Sequence, residues 1–237
     1  MTDLLLYLIL TYLLAAIPFG VVVTTFCEHD LDVRAAGSGD IGSANLAHLF
    51  GWQIAARVLV LDLLKGLVPV LGVTLLWPDG GPAFATVVAL VAFIGHCWPV
   101  YLEFRGGKGV TTAAGAMLGI SPIIAGSSGA VWLALLALTG RASVASLGAT
   151  LAAFGFAAWF DPAKLMLVAL LAIGVAARHA SNMVRVAQGE EEEFLRPVRW
   201  GRRAAGPATA EEVLQQDLTG SARSTVAWKD GPTQADP

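Results

Sequence analysis

Long apolar runs recur along the first 185 residues of this 237-residue chain and constrain its fold more than any other feature. A helix needs about 20 consecutive apolar residues to cross the hydrocarbon core of a bilayer. The runs are Leu4–Phe26, Gln53–Trp77, Pro82–Tyr101, Val110–Gly119, Ser121–Gly140, Ser143–Phe160 and Ala163–Arg178. Only 14% of the residues are charged, against about 25% in soluble domains. The sequence therefore predicts an all-α, polytopic membrane protein, a bundle of about seven transmembrane helices.

Two irregularities interrupt this pattern. Pro18 and Gly20 lie inside the first run and are expected to kink that helix, which neighbouring helices tolerate. The Val110–Gly119 run is too short to span alone, so it is either a half-helix or the first part of a helix broken at Ser121. Gly115 and Gly119 form a small-xxx-small pair, which predicts a face that packs closely against another helix.

The charges of the connecting segments predict the orientation in the membrane. Alternate segments hold nearly all the basic residues of the apolar part: Arg34, Arg105, Lys108, Arg141, Arg178 and Arg185. The intervening segments hold one lysine, Lys164. By the positive-inside rule the basic set faces the cytoplasm. The N-terminus is then outside and the C-terminus cytoplasmic, as an odd number of spans requires.

The chain is expected to divide at the end of the last apolar run. Residues 1–186 form the transmembrane domain, and residues 187–237 form a cytoplasmic, mostly disordered tail. Glu211–Leu218 is the one stretch of the tail that could form a short helix. The tail has charges of both signs and no basic stripe, so no nucleic-acid partner is expected, whereas its basic patch could contact anionic lipids.

The first cytoplasmic segment is rich in residues that bind anions. It reads Ala36-Gly37-Ser38-Gly39-Asp40-Ile41-Gly42-Ser43-Ala44-Asn45. Free backbone N–H groups and short hydroxyls of this kind wrap closely around anions, above all where a helix begins next. A flexible turn is the alternative interpretation.

The second cytoplasmic segment combines a lysine with a helix start. Gly106-Gly107-Lys108-Gly109 precedes an apolar helix, so amides, a helix N-terminus and one ammonium group could together bind phosphate. The segment is not a P-loop, because the spacing of that motif is absent. His96 lies at the end of the preceding helix, where a polar side chain is either functional or a buried structural residue.

Two further polar clusters lie on the same side. His179 and Asn182 are three residues apart and share a helical face, and Arg178 and Arg185 flank them. Arg178 and Arg185 are interpreted as interfacial residues whose charges reach the membrane surface. Separately, Ser143 and Ser146 share a face and, taken alone, indicate helix packing.

Taken together, these segments resemble the bacterial acyl-phosphate-dependent glycerol-3-phosphate acyltransferases, over residues from about 1 to 186. The strongest matches are Gly95-His96 to Val110, Gly37-Ser38-Gly39 through Asn45, Leu61-Asp62-Leu63-Leu64-Lys65-Gly66, and Arg178-His179 through Arg185. The resemblance implies acyl transfer from an acyl phosphate to the 1-hydroxyl of glycerol 3-phosphate, which gives lysophosphatidic acid and phosphate. It further implies the bacterial inner membrane, an active site that faces the cytoplasm, and no metal or other cofactor.

The same resemblance assigns roles to residues. The implied catalytic residues are Ser38, His96, Lys108, His179 and Asn182. Lys108 would hold phosphate as a point charge, and His96, His179 or the substrate's own phosphate would take the hydroxyl proton. The substrate-binding candidates are Gly37, Gly39, Asp40, Asn45, His48, Gly106, Gly107, Ser143 and Ser146. The acyl chain would lie between the helices, with membrane lipids as neighbours.

Three positions depart from the family pattern. Asp40, Ala44 and His48 stand where the family usually has asparagine, threonine and arginine. A carboxylate about 5 Å from a phosphate costs roughly 3 kcal/mol at an effective dielectric constant near 20. The departures therefore imply another acceptor, a weak activity or a compensating cation.

Two accounts of Asp40 remain open. In one, the carboxylate points at the substrate phosphate and repels it. In the other, it accepts backbone N–H groups of the following segment. We favour repulsion here, because His48 also weakens the local positive charge.

Two other classes of protein fit the sequence less well. A transporter or channel for a phosphorylated metabolite would place polar residues at the midplane of several spans, but here only Asp62 and Lys65, which could pair, lie away from one edge. A coenzyme-A-dependent acyltransferase is not supported, because no histidine has an aspartate five residues later.

Overall fold

The structure is a computed structural model that describes residues 2–27, 32–191 and 194, and these residues are mainly helical. The helices are α1 (Thr2–Ala16), α2 (Phe19–Phe26), α3 (Ser43–Phe50), α4 (Trp52–Leu76), α5 (Gly81–Cys97), α6 (Val110–Ile120), α7 (Pro122–Thr139), α8 (Ala142–Phe160), α9 (Leu165–Arg178) and α10 (Ala180–Gln188). Short 3-10 turns cover Pro78–Gly80, Val100–Leu102 and Pro162–Lys164. Within the described residues there is no strand, as expected for an all-α protein.

Four stretches are long and apolar enough to cross a membrane: α4, Pro78–Leu102 with α5 inside it, α7 and α8. Two bent pairs raise the number to six if each is one span: α1 with α2, at 47°, and Pro162–Arg178 with α10, at 56°. The short helix α6 is apolar but has only 11 residues. The count of seven spans therefore stays a prediction.

Proline residues mark two of the breaks between helices. α1 ends at Ala16 and α2 begins at Phe19, so the expected kink at Pro18 is present as a break. α6 ends at Ile120, and α7 begins after Ser121 with Pro122 at its first position, where the missing N–H of proline has no cost. The sequence did not predict α3, whose eight residues are too few to span a membrane.

Helices α4 and α6 pack closely against each other. A methyl group added at Gly66 would overlap the carbonyl oxygen of Thr112, and one added at Gly115 would overlap that of Leu63. Gly119 faces Val70 in the same interface. The packing interpretation of Gly115 and Gly119 is thus confirmed, and backbone approach of this kind is how small residues join membrane helices.

A buried ion pair lies in the same region. The Lys65 ammonium is 2.9 Å from the Asp62 carboxylate and donates to the carbonyl of Ile17 at 3.1 Å. Both charged residues are only 3% exposed. Because an unpaired charge at this depth would be strongly destabilising, the pair acts as a neutral structural unit that ties α4 to the end of α1.

The described residues bring four helix ends to one side of the bundle: the starts of α3, α6 and α8 and the bend between α9 and α10. α10 ends at Gln188, two residues past the expected boundary at 186. Of the tail predicted to be disordered, residues 187–191 and 194 are described, and Gln188 still belongs to α10. The rest of the tail, including the helix predicted at Glu211–Leu218, lies outside the described residues.

Candidate active site

A cavity of about 910 Å³ opens among these helix ends, and its two halves differ in chemistry. The volume falls within the range of small-molecule sites, roughly 300–1,000 Å³. Its polar half is lined by Gly37, Ser38, Asp40, Asn45, His48, His96, Lys108, Ser143, Ser146, His179, Asn182, Arg185 and Glu191. Its other half is lined by apolar side chains of α6 to α9, among them Met117, Ile124, Leu133 and Val168. A molecule with an anionic head and an apolar tail matches this division.

Asn45 holds the first loop in shape. Its Oδ1 accepts the Ser38 N–H at 3.0 Å, and its Nδ2 donates to three carbonyl oxygens, of which that of Asp40 is nearest at 2.8 Å. Gly37 has φ +58°, and a side chain there would collide with Asn45. The amide of Asn45 is therefore used to place Ser38 at the cavity wall, and Asn45 acts as a positioning residue.

Asp40 contacts two groups at once. Its Oδ1 accepts the Gly42 N–H at 2.9 Å, in the turn that leads into α3. Its Oδ2 lies 3.0 Å from the Lys108 ammonium, with the two side chains 13% and 22% exposed. The backbone contact is the one expected when Asp40 stabilises the following segment, and Lys108 supplies the compensating cation. In this geometry Asp40 does not present an unopposed negative charge to the cavity.

The Gly106–Gly109 segment is fixed from two sides. The N–H groups of Gly106 and Gly107 donate to the carbonyls of Cys97 and His96, at 3.2 and 3.3 Å. The Arg178 guanidinium donates to the carbonyls of Gly106 and Gly107, at 2.6 and 3.0 Å. The two amides that the sequence suggested for phosphate are thus used inside the protein, and both glycines lie outside the cavity wall. From this segment Lys108 and the first turn of α6 reach the cavity.

His96 lies beneath that segment. The Thr112 hydroxyl donates to the carbonyl of Asp62 at 3.1 Å, so it has only a lone pair for His96 Nδ1, 3.0 Å away. His96 Nδ1 is therefore the protonated nitrogen. Nε2 packs directly against the backbone of Gly107. Both ring nitrogens thus face protein groups, which suits a structural support of the segment.

His179 has one ring nitrogen available. Its Nδ1 lies 2.8 Å from the carbonyl oxygen of Val175, which can only accept, so Nδ1 carries the proton. Nε2 then keeps its lone pair, and the residue is 2% exposed in the cavity wall. A neutral imidazole with a free lone pair can accept a proton from a bound hydroxyl group.

Asn182 and Arg185 both donate hydrogen bonds to the carboxylate of Glu191. Asn182 Nδ2 donates to one carboxylate oxygen at 2.8 Å, and Arg185 Nε donates to the other at 3.2 Å. Burial acts to raise the pKa of Glu191, but the hydrogen bond from Asn182 and the charge of Arg185 outweigh it, so the pKa is below its ordinary value. Asn182 Oδ1 is buried and has no hydrogen-bond partner among the described residues.

The two serines of α8 differ in their availability. The Ser146 hydroxyl donates to the carbonyl of Ala142 at 2.7 Å and accepts from Trp132 Nε1 at 3.1 Å. The Ser143 hydroxyl makes no well-formed hydrogen bond among the described residues, although it lies near enough to Glu191 to stabilise that carboxylate. Ser143 is thus the serine without a partner on its own helix or on α7, and its neighbour is the Glu191 carboxylate.

The remaining candidates divide between two surfaces. His48 lines the polar half of the cavity. Gly39 lies instead on a neighbouring groove of about 600 Å³ that also contains Arg105 and Gly106. Sequence reasoning missed the positioning roles of Arg178 and Glu191. The acidic run at residues 190–193 was the only signal in the sequence for Glu191, and nothing local marked Arg178 as a partner of the glycine segment.

No three His, Cys, Asp or Glu side chains among the described residues are grouped closely enough to hold a metal ion.

Comparisons with known proteins agree on one family. The family model described as "Glycerol-3-phosphate acyltransferase" matches residues 5–189. Proteins of that name from Solidesulfovibrio magneticus and Pseudomonas syringae pv. syringae are 40% and 38% identical, over 79% and 77% of this chain and 94% of each relative.

Two solved structures that resemble this chain are also of a glycerol 3-phosphate acyltransferase. The crystal structure of PlsY (YgiH), an integral membrane glycerol 3-phosphate acyltransferase, in its glycerol 3-phosphate form has a TM-score of 0.75 and 33% identity, over 81% of this chain and 96% of that one. Its lysophosphatidic acid form has a TM-score of 0.73 and 32% identity, over 81% and 95%.

Proposed function

This chain belongs to the glycerol-3-phosphate acyltransferase family, and from that premise we propose that an acyl phosphate is the donor of the acyl group it transfers. It is an integral membrane enzyme that acylates glycerol 3-phosphate and gives lysophosphatidic acid, a step of phospholipid synthesis.

The division of the cavity into two halves is the observation that carries this proposal. Donor and acceptor both bear phosphate, and the polar half offers Lys108, the N-terminus of α6, Arg185 and several hydroxyl and amide groups. The apolar half offers a place for the acyl chain. An acyl phosphate is an activated mixed anhydride, so positioning and charge stabilisation can supply most of the rate.

The reaction needs one bond to form and one to break. The 1-hydroxyl oxygen of glycerol 3-phosphate forms an ester bond with the acyl carbon. The anhydride bond between that carbon and the phosphate oxygen breaks, and phosphate leaves with the electron pair. Lys108 would stabilise the charge that grows on phosphate, and Ser38 and Ser143 would orient the substrates.

The hydroxyl proton would pass to His179 Nε2 or directly to the leaving phosphate. His179 suits this role better than His96, because His96 Nδ1 is held by Thr112 and its Nε2 packs on Gly107. Asn182 Oδ1, buried and without a partner among the described residues, would accept from an acceptor hydroxyl and align it. His96 would then support the Gly106–Lys108 backbone.

The pairing of Asp40 with Lys108 bears on the acceptor. Because the carboxylate neutralises Lys108, phosphate has to displace or share that ammonium group. We therefore expect glycerol 3-phosphate to bind more weakly than it would with asparagine at this position, rather than to be excluded. A different acceptor is the alternative that the departures at Asp40 and His48 leave open.

The proposed orientation places the polar half of the cavity at the cytoplasmic face of a bacterial inner membrane, with about seven spans. The basic residues that the positive-inside rule assigns to the cytoplasm include Lys108, Arg178 and Arg185, which all border or support this half. Water-soluble glycerol 3-phosphate would enter from that side.

A phosphate-release assay on purified protein tests the donor. With palmitoyl phosphate, we expect release that depends on glycerol 3-phosphate and is matched by the lysophosphatidic acid formed. Palmitoyl coenzyme A is the comparison donor and is expected to give no product. Product from the thioester, or none from the acyl phosphate, would overturn the proposal.

A further inference from the structure

The apolar half of the cavity is lined by a face of α7 whose centre is made of small residues. Gly126, Gly129 and Ala130 lie on this face, and Leu133 follows one turn later. With 100° between successive helical residues, Gly129 falls at the middle of the face that lines the cavity. The backbone of α7 therefore forms part of the cavity wall.

These glycines are not explained by helix packing. A methyl group added at Gly126 or Gly129 would meet no atom within 4 Å. At Gly66 and Gly115, by contrast, it would overlap the backbone of the facing helix. Glycine destabilises a helix relative to alanine. Because Gly126 and Gly129 line the cavity, a side chain at either position would take up cavity space, which glycine leaves open.

An independent feature at the polar end shows that the cavity is built for a ligand. Asn182 is 3% exposed, and its Oδ1 has no hydrogen-bond partner among the described residues. A buried acceptor of this kind is costly unless a ligand supplies a donor. One ligand with a hydroxyl-bearing polar head and a long apolar chain would satisfy Asn182 and fill the space beside α7.

We propose that Gly126 and Gly129 determine the acyl-chain length that the enzyme accepts, an inference that rests on the function proposed above. α7 rises about 1.5 Å per residue, so Gly129 lies about 16 Å along the helix axis from Gly140, beside the polar end. A side chain at Gly129 would thus meet the distal carbons of a long chain and leave the carbonyl and the phosphate untouched. Ile124, at the start of α7 and fully buried, closes this end of the cavity.

Substitution of Gly129 by alanine and by leucine tests this inference through product binding and turnover. In detergent, lysophosphatidic acids with chains of 10 and 16 carbons are titrated against the parent protein and each variant. We expect Gly129→Leu to weaken binding of the 16-carbon ligand about tenfold or more and to leave the 10-carbon ligand nearly unchanged, with Gly129→Ala intermediate. Turnover of the matching acyl phosphates should show the same change in ratio.

Gly155→Leu is the matched control. Gly155, like Gly126 and Gly129, is helical and exposed, and a methyl group added there also meets no atom within 4 Å, but Gly155 does not line the cavity. It should leave the chain-length ratio as in the parent, and Gly126→Leu provides a second test should Gly129→Leu fail to fold. An unchanged ratio in the Gly126 and Gly129 variants, or an equal loss for both chain lengths, would overturn the inference. Failure of the parent to use acyl phosphate would instead refute the proposed donor, while the binding series would still decide the role of the glycines.

Discussion

The Lys108 ammonium lies 3.0 Å from the Asp40 carboxylate, which joins the two segments that the sequence singled out as anion-binding. Both residues border the cavity that also contains His179 and Asn182. The pair is partly exposed, so its net contribution is limited to about 1 kcal/mol, and a bound phosphate could replace the carboxylate. We therefore propose that the pair tunes the affinity of the cavity for phosphate without closing it.

Asp40→Asn should lower the KM for glycerol 3-phosphate about fivefold at low salt, because Lys108 loses its competing partner while the amide oxygen can still accept from Gly42. Steady-state kinetics at low and high ionic strength measure this. Asp32→Asn, which removes an exposed carboxylate paired with Arg34 at 2.8 Å, is the control and should change nothing. A KM that is the same in Asp40→Asn and the parent at low salt would show that the pair does not compete with substrate. Asp40→Asn combined with His48→Arg adds a positive charge and should lower the KM further.

Lys108→Ala should reduce turnover about tenfold or more without unfolding the protein, because a charge-assisted contact to phosphate is lost. Turnover and the thermal midpoint are measured on the same preparation. Lys164→Ala removes a lysine that pairs with Asp161 away from the cavity and should remain active. Full activity in Lys108→Ala would mean that the Gly106–Gly109 segment is a turn without a role in phosphate binding.

Arg178→Lys should lower both stability and activity, because lysine cannot donate to the Gly106 and Gly107 carbonyls with the same two-pronged geometry. The lost contacts predict about 1–3 kcal/mol of destabilisation and, through a displaced Lys108, about tenfold lower kcat. Arg34→Lys, at an exposed ion pair, is the comparison. A variant that is less stable but catalytically normal would show that Arg178 supports the fold alone.

Glu191 predicts a pH dependence of stability. Its pKa in the folded protein is lower than the ordinary value of 4.5, so its contribution is present above that value and is lost as the pH falls through the folded pKa. The thermal midpoint of the parent should therefore exceed that of Glu191→Gln at neutral pH, and the difference should shrink in the acid range below 4.5. Glu190→Gln serves as control. A difference that stays constant across this range would mean that the carboxylate charge of Glu191 is not stabilising.

The orientation predicts that Ser38, Lys108 and Asn182 all face the cytoplasm. A single cysteine placed beside Lys108, in a variant without Cys27 and Cys97, should resist a membrane-impermeant thiol reagent in sealed cells and react after permeabilisation. A cysteine placed near Asp79, in the turn between α4 and α5, should react from outside. Labelling beside Lys108 in sealed cells would invert the proposed topology.

The sequence alone determined the helical class of the protein and most helix ends. Gln53–Trp77 was expected and Trp52–Leu76 is found, and Val110–Gly119 was expected and Val110–Ile120 is found. Hydrophobic runs and proline or glycine breaks are local signals, which is why they can be interpreted without a structure. The same holds for the small residues Gly115 and Gly119, whose spacing indicates a packing face in any membrane helix.

Only the tertiary structure decided which polar groups are partners. Asp40 pairs with Lys108 on another segment, Arg178 reaches carbonyls 71 and 72 residues earlier in the chain, and Asn182 holds Glu191 from beyond the expected domain boundary. Hydrogen bonds and ion pairs depend on distances of a few ångströms between segments that only the packed helices bring together, and no periodicity in the sequence encodes them. For that reason the sequence could suggest a set of phosphate-binding residues, whereas the fold divided that set into residues that line the cavity and residues, such as Gly106 and Gly107, whose polar groups are used inside the protein.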